Sequence, residues 1–404
     1  MSKAVGLKRE LGLGLLTFYG LGNILGAGIY VLVGKVAAVS GLYTPISFFL
    51  ASLLAGFTAF SYAELSARYP ISAGESVYVH EGFGIRTVSL AVGLLIVLAG
   101  MLSSAAIAQG FIGYLGYFIE TPRLVTISFV VLLLFALAAW GIAESVRVAA
   151  LLTVLEIIGL VLILTTAPID AAVLSERLPD LLPDFKWVTW YGIIWGALLA
   201  FYAYIGFEDM VNVAEEVKRP QRNMPLSIFI ALGVSATLYF LIALVAILSL
   251  PIEQLAASDA PLALIYQQNT GQDPLVISAI GLFAVINGAL IQIIMVSRIL
   301  YGLANKGWLP ALLASVNRHT HTPVISTLLA AVVVWLFSIS FNISELAENT
   351  SFVILIVFAM INLALIRIKI RLPSPAQVQV YPVWIPVMGL LTASGFIVFK
   401  LLKF

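Results

Sequence analysis

The chain has 404 residues, 61% of them hydrophobic and 10% charged, with a net charge of +1 and a mean hydropathy of +1.08. A soluble domain carries about 25% charged residues, so composition excludes one and implies a polytopic protein of the lipid bilayer. The lack of cysteine removes disulfides, thiolate metal sites, cysteine nucleophiles and a disulfide-linked subunit, and the near-zero charge offers no footprint for nucleic acid.

The first uncharged run extends from Leu11 to Gly34, long enough to cross a bilayer, since a span needs about 20 apolar residues. It is too long for a signal-peptide core and reads as the first span. Within it Gly20, Gly22, Gly26 and Gly28 accompany Asn23. Glycine costs a helix about 1 kcal/mol relative to alanine, so glycines on both sides of Ala27 point to a helix broken in mid-membrane. Small residues for close helix packing would explain the same letters. A break leaves backbone N–H and C=O groups unpaired, which is tolerated at that depth only within protein or beside a wet cavity.

Dividing the rest at charges and turn residues gives eleven spans, near 11–35, 43–66, 87–117, 124–142, 148–167, 189–213, 225–250, 274–301, 323–341, 350–368 and 382–402. With the N-terminus inside, cytoplasmic segments hold fifteen of the 21 basic residues. That satisfies the positive-inside bias and predicts an N-in, C-out topology. The loop Asp170–Lys186, with Asp170, Glu176, Asp180 and Asp184, then lies outside, either covering a vestibule or simply solvated.

The sixth span repeats the anomaly of the first. Its centre carries Gly206 followed by Phe207, Glu208 and Asp209, so a second break is expected there. Spans one and six open two five-span halves, and an odd number of spans inverts the second half relative to the first. Interrupted helices at matching positions of inverted halves mark a transporter site near the midplane. One transmembrane domain is expected, with residues 11–167 and 189–371 as the repeats and 382–402 as an added helix.

Four stretches then resemble one family. GNILGAGIY at 22–30 is similar to the first-helix signature of amino acid–polyamine–organocation (APC) transporters. SYAELSARYPISAGESVYV at 61–79, FYAYIGFEDMVNVAEEVKRPQRNMP at 201–225 and SRILYGLANKGWLP at 297–310 resemble their second-, sixth- and eighth-span motifs. Family members commonly have twelve spans against eleven here. The resemblance implies an all-α APC (LeuT-like) 5+5 inverted-repeat fold and an amino acid substrate. Carried over by position, the substrate carboxylate would meet backbone N–H groups at Gly26, Ala27 and Gly28, near the Ile24 carbonyl. Its ammonium would meet carbonyls near Phe201, Tyr202 and Ile205. The physics agrees, because the N–H end of a half-helix suits an anion and exposed carbonyls suit a cation. Side-chain selectivity would come from Ser103, Ser104, Tyr202, Phe207 and Gln292.

Ionisable groups at membrane depth are costly and functional by default. Glu156, in the middle of span five, stands near the position where proton-coupled relatives carry a lysine. A carboxylate cannot imitate that cation, so Glu156 either takes up and releases a proton or serves as a structural hydrogen-bonding group. Sodium-coupled relatives place hydroxyls about where Ile291 and Gln292 stand, and hard cations need oxygen ligands, so sodium is disfavoured. Glu208 reads as a gating or proton-path carboxylate, or else as a cap of the second half-helix. Asp209 reads as structural, and Glu64 as the partner of Arg68 one turn on. Glu215, Glu216, Lys218, Arg219 and Arg222 form a cytoplasmic charge cluster, either inner-gate ion pairs or solvated. His319 and His321 lack neighbouring Asp, Glu or Cys, so no metal is expected, and no cofactor.

An amino acid symporter coupled to protons and a sodium-independent exchanger of the same fold are the two leading readings. A channel would show charge rings or filter repeats, and an enzyme a convergent nucleophile and base; neither pattern is present. Few acidic groups face the expected cavity, which disfavours dibasic substrates, and no deep Arg or Lys serves a strongly anionic one. A neutral amino acid remains, by elimination. Short loops and a compact chain fit a bacterial inner (plasma) membrane.

Overall fold

The computed structural model describes residues 9, 11–26, 28–71, 74–116, 118–140, 145–167, 178–317, 320 and 322–402. Ala27, Asp170, Glu176, His319 and His321 fall outside them, as do the side chains of Glu215 and Glu216. Regular structure among the described residues is helical, with one isolated bridge between Leu11 and Val217.

The first span is two helices, α1 (Leu13–Leu25) and α2 (Gly28–Ser40). They are followed by α3 (Thr44–Arg68), α4 (Gly74–Phe83), α5 (Arg86–Leu115), α6 (Arg123–Trp140) and α7 (Ser145–Thr166). The sixth span begins with α8 (Trp187–Phe201), passes through a 3-10 turn, Tyr202–Tyr204, and resumes as a 3-10 helix, Glu208–Glu216. Then come α9 (Pro220–Ser249), short α10 (Ile252–Ala257) and α11 (Pro261–Thr270), α12 (Leu275–Asn305), α13 (Val324–Ser340), α14 (Ile343–Arg371) and α15 (Trp384–Leu402). Among the described residues eight stretches are long and apolar enough to cross a membrane, the first running from Leu13 to Arg68, and two shorter apolar helices accompany them.

Helix starts follow local chemistry. Pro220 opens α9 and Pro261 opens α11 at positions where the missing N–H costs nothing. In α14 the Asn342 side chain accepts the Glu345 N–H and the Glu345 carboxylate accepts the Asn342 N–H, both at 2.9 Å. This reciprocal cap starts α14 at Ile343, seven residues before the apolar run from which the span was drawn. Likewise α9 starts at Pro220 and carries Pro225 in its interior, where hydropathy alone began the span at 225.

The helices pack as two sets. One comprises α1, α3, α8 and α9; the other, α5, α6, α12 and α13. Between them, α7 lies against α1 and α12, while α14 lies against α3, α5 and α8, and α15 covers α14 and α3 from outside. At one end α3, α14 and the segment before α15 are tied by Glu64. Its oxygens take Arg68 Nη2 and Lys369 Nζ, each at 2.6 Å, with all three side chains at most 3% exposed; Arg68 Nε adds a bond at 2.9 Å and the Tyr381 N–H another at 3.0 Å. The expected Glu64–Arg68 pair is present, with Lys369 joining it from 305 residues further along the chain.

Candidate functional site

Both predicted interruptions are present, and they touch. After Leu25 the backbone turns out of the helix at Gly26 (φ −19°, ψ −104°), and helix resumes at Gly28. A Cβ on Gly28 would sit 2.6 Å from the Ala203 Cα, inside the turn that interrupts the sixth span. There Ile205 is extended and Gly206 has φ +133°, a conformation L side chains rarely adopt. A Cβ on Gly206 would also meet the Asn23 backbone carbon at 2.8 Å. Glycine is thus required at 28 for approach, and at 206 for approach and conformation together.

Polar side chains fasten the two breaks. Asn23 Nδ2 donates to the Gly206 carbonyl and to Asp209 Oδ2, each at 2.8 Å. Gln292 Nε2, from α12, donates to the same Asp209 oxygen at 2.8 Å. Glu208 Oε2 accepts the Gly206 N–H at 2.9 Å while its Oε1 is buried without a partner. Asp209 is therefore a tie between spans one, six and eight, consistent with a structural role. Glu208 bonds backbone within the break itself. The Ile24 carbonyl accepts the Tyr239 hydroxyl of α9 at 2.6 Å.

The selectivity candidates divide. Ser103 and Tyr202 are paired, hydroxyl to hydroxyl at 3.1 Å, so the third and sixth spans meet at these two side chains. Ser104 instead donates to the Ala289 carbonyl at 3.1 Å and acts between α5 and α12. The Phe207 ring lies 5.7 Å from that of Tyr62 and 5.4 Å from that of Phe358, and Phe201 packs edge-on against Phe358 at 5.5 Å. The Tyr202 carbonyl accepts the Ile205 N–H at 3.2 Å. Gly26, Gly28 and Ile205 are buried with the rest, so the described members are closed off from solvent in this conformation.

Glu156 lies one layer away, in α7 facing α12. Asn287 Nδ2 donates to its Oε1 at 2.9 Å, and its Oε2 is buried with no partner. The Tyr30 hydroxyl, from α2, bonds the Glu156 backbone carbonyl at 2.7 Å. Gly22 of α1 closes the contact, since a Cβ there would collide with Thr153 Oγ1 at 2.1 Å and Asn287 Nδ2 at 3.1 Å. Glu156 is thus next to the helix that breaks at Gly26, though not in the Asn23–Asp209–Gln292 network. Ile291 is buried and contributes no oxygen ligand from its side chain, and among the described residues no acidic or histidine cluster could hold a metal ion.

Asn23, Tyr239 and Asn287 are site residues for which sequence reasoning assigned no role. A lone amide in an apolar span was the available signal for the two asparagines. Tyr239 carried none, because a tyrosine in a membrane helix is ordinary.

Two interrupted helices joined through a buried polar seam, in a chain of long apolar helices, are the frame of a multi-pass membrane permease. The chain belongs to the amino acid permease family, whose model matches residues 11–402, and the APC resemblance is borne out. It is similar to the branched-chain amino acid permease BcaP of Bacillus subtilis, 28% identical over 91% of this chain and 82% of that one. It is equally similar to the methylthioribose transporter of the same organism, 28% identical over 97% of this chain and 88% of the other. The vacuolar cationic amino acid transporter 4 of Arabidopsis thaliana is 30% identical over 87% of this chain and 61% of its own.

Proposed function

We propose that the protein is a secondary active transporter of amino acids, preferring neutral side chains, that works by alternating access as a proton-coupled symporter. The observation that carries this reading is the contact of the two breaks, Gly28 against Ala203. It sets the N–H end of one half-helix beside the carbonyl end of another, and a zwitterion needs both. In this reading Gly26, Ala27 and Gly28 hold the carboxylate. The carbonyls near Phe201, Tyr202 and Ile205 hold the ammonium, and Ser103, Tyr202 and Gln292 meet the side chain. The neutral preference is in keeping with the branched-chain permeases of Bacillus subtilis and Lactococcus lactis among the relatives. The methylthioribose and cationic amino acid transporters mark how far the same framework can be retuned.

The packing also supports eleven spans arranged as a 5+5 inverted repeat. Exchanging each span with the one five places on turns the α1–α9 contact into α3–α8, α5–α14 into α7–α12, and α5–α13 into α6–α12. The α3–α9 and α5–α12 contacts map onto themselves, and all of these are among the principal helix contacts. We place the chain N-in, C-out on its basic residues, in a bacterial plasma membrane.

Glu156 carries the coupling proton in this scheme: its bare Oε2, one helix from the first break, gains a proton in one state and loses it in another. The Asn287 bond to its other oxygen favours the second reading, a structural Glu156 in a sodium-independent exchanger. Uptake of labelled neutral amino acids into proteoliposomes under a proton gradient, a sodium gradient or none separates the two. Symport predicts uphill accumulation driven by protons alone and abolished in Glu156→Gln. Counterflow that needs internal amino acid, ignores both gradients and survives the substitution would mean an exchanger.

A further inference from the structure

Outside the apolar spans, α4 buries a carboxylate that none of the preceding chemistry uses. Glu75 is the second residue of α4 and is 1% exposed. Its helix start is pressed onto the resumed half of the sixth span, since a Cβ on Gly74 would lie 2.6 Å from a Val211 methyl. Glu75 Oε1 has no hydrogen-bond partner, and neither do the buried hydroxyls of Tyr62 and Tyr78. Glu75 is within electrostatic range of Asp209, Glu208, Tyr62 and Tyr78. Three carboxyls and two phenols therefore share one buried junction.

Of the cations on the elements packed on α4, Arg371 at the end of α14 is exposed and the others are engaged elsewhere. Arg68 of α3 and Lys369 of α14 hold Glu64. Arg367 of α14 donates to the Gly82 carbonyl and lies over the Phe83 ring. Arg86 of α5 donates to the Gly307 carbonyl and lies over Trp308. On α4 itself, His80 is next to Trp308 and Glu81 is exposed. Among the described residues no ion pair reaches Glu75. A buried carboxylate without a counter-charge is expensive, and the group neutralises instead.

We infer that Glu75 is a proton-binding site, protonated while α4 is packed against the 3-10 helix Glu208–Glu216 and ionised when that junction opens to water. The inference holds for a symporter and for an exchanger, because it concerns the closing of one end of the molecule and not the coupling ion. Burial, opposed in part by the bond from its own backbone N–H and aided less by the Asp209 charge, pushes the Glu75 carboxyl up to about 8. Its proton passes to water on opening and returns on closing.

Infrared difference titration of the purified protein, which reads the C=O stretch of protonated carboxyls, tests this without reference to transport. Wild type should lose such a band as pH rises through about 8. Glu75→Gln should lack that component and Glu156→Gln should keep it. Should Glu75→Gln fail to fold, Asp209→Asn serves instead and should move the loss to lower pH by removing the neighbouring charge. A band that persists unchanged in Glu75→Gln, or a midpoint unmoved by Asp209→Asn, overturns the assignment, as would the absence of any such band in wild type.

Discussion

Glu64 and Glu156 are both fully buried, yet their surroundings are opposite. Glu64 has two cations and a backbone N–H on its oxygens. Glu156 has one amide on one oxygen and nothing on the other. Burial alone therefore says little about what a membrane carboxylate does; compensation does. A carboxylate saturated by cations binds helices together, whereas one left half-satisfied keeps an oxygen that no neighbour holds. The contrast also follows position: Glu64 is at a helix end, where α3, α14 and the approach to α15 converge, and Glu156 lies in mid-span beside a helix about to break.

The largest effect should come from Glu64→Gln. Removing one partner of a buried ion pair costs about 3–5 kcal/mol, because the remaining charges are left uncompensated, and here two cations, Arg68 and Lys369, would be orphaned. The expected result is a marked drop in the thermal unfolding midpoint of the purified protein. If the midpoint is unchanged, the three side chains do not hold the helices together as their geometry implies and the contrast with Glu156 fails. Asn287→Ala should be milder. It leaves the buried Glu156 Oε1 without its donor, a penalty of about 1–3 kcal/mol, measurable as a smaller fall in the same midpoint.

The Glu64–Arg68 contact was legible in the sequence because i,i+4 charges on a helix face each other. Lys369 was not, since nothing local in α3 encodes a partner 305 residues away. The same division runs through the fold. Long apolar runs gave the membrane helices, and the glycines at 26, 28 and 206 gave both interruptions, because backbone that must turn or approach closely needs glycine. The short helices α4, α10 and α11 escaped notice, being too brief and mixed for a hydropathy reading. The first turns of α9 and α14 escaped because Pro220 and the Asn342–Glu345 cap set them, not apolarity. At the site, Glu156, Glu208 and Asp209 announced themselves as charges in lipid. The amides that hold two of them, Asn23 and Asn287, come from other spans, so the pairing becomes visible only once the helices are packed.

Glu156→Gln should change stability least and function most. Glutamine keeps the shape and an oxygen able to accept from Asn287, so the one described side-chain bond survives, and its amide takes the place of a carboxyl oxygen that had no partner. A net hydrogen-bond change of this kind is worth about 1 kcal/mol or less, so the unfolding midpoint should stay near that of wild type. If Glu156 were ionised and compensated like Glu64, the same substitution would remove a charge that its surroundings had been built to stabilise. The midpoint would then fall as it does for Glu64→Gln. Measuring the two variants side by side separates a carboxylate that holds helices together from one that is free to titrate, before any substrate is added.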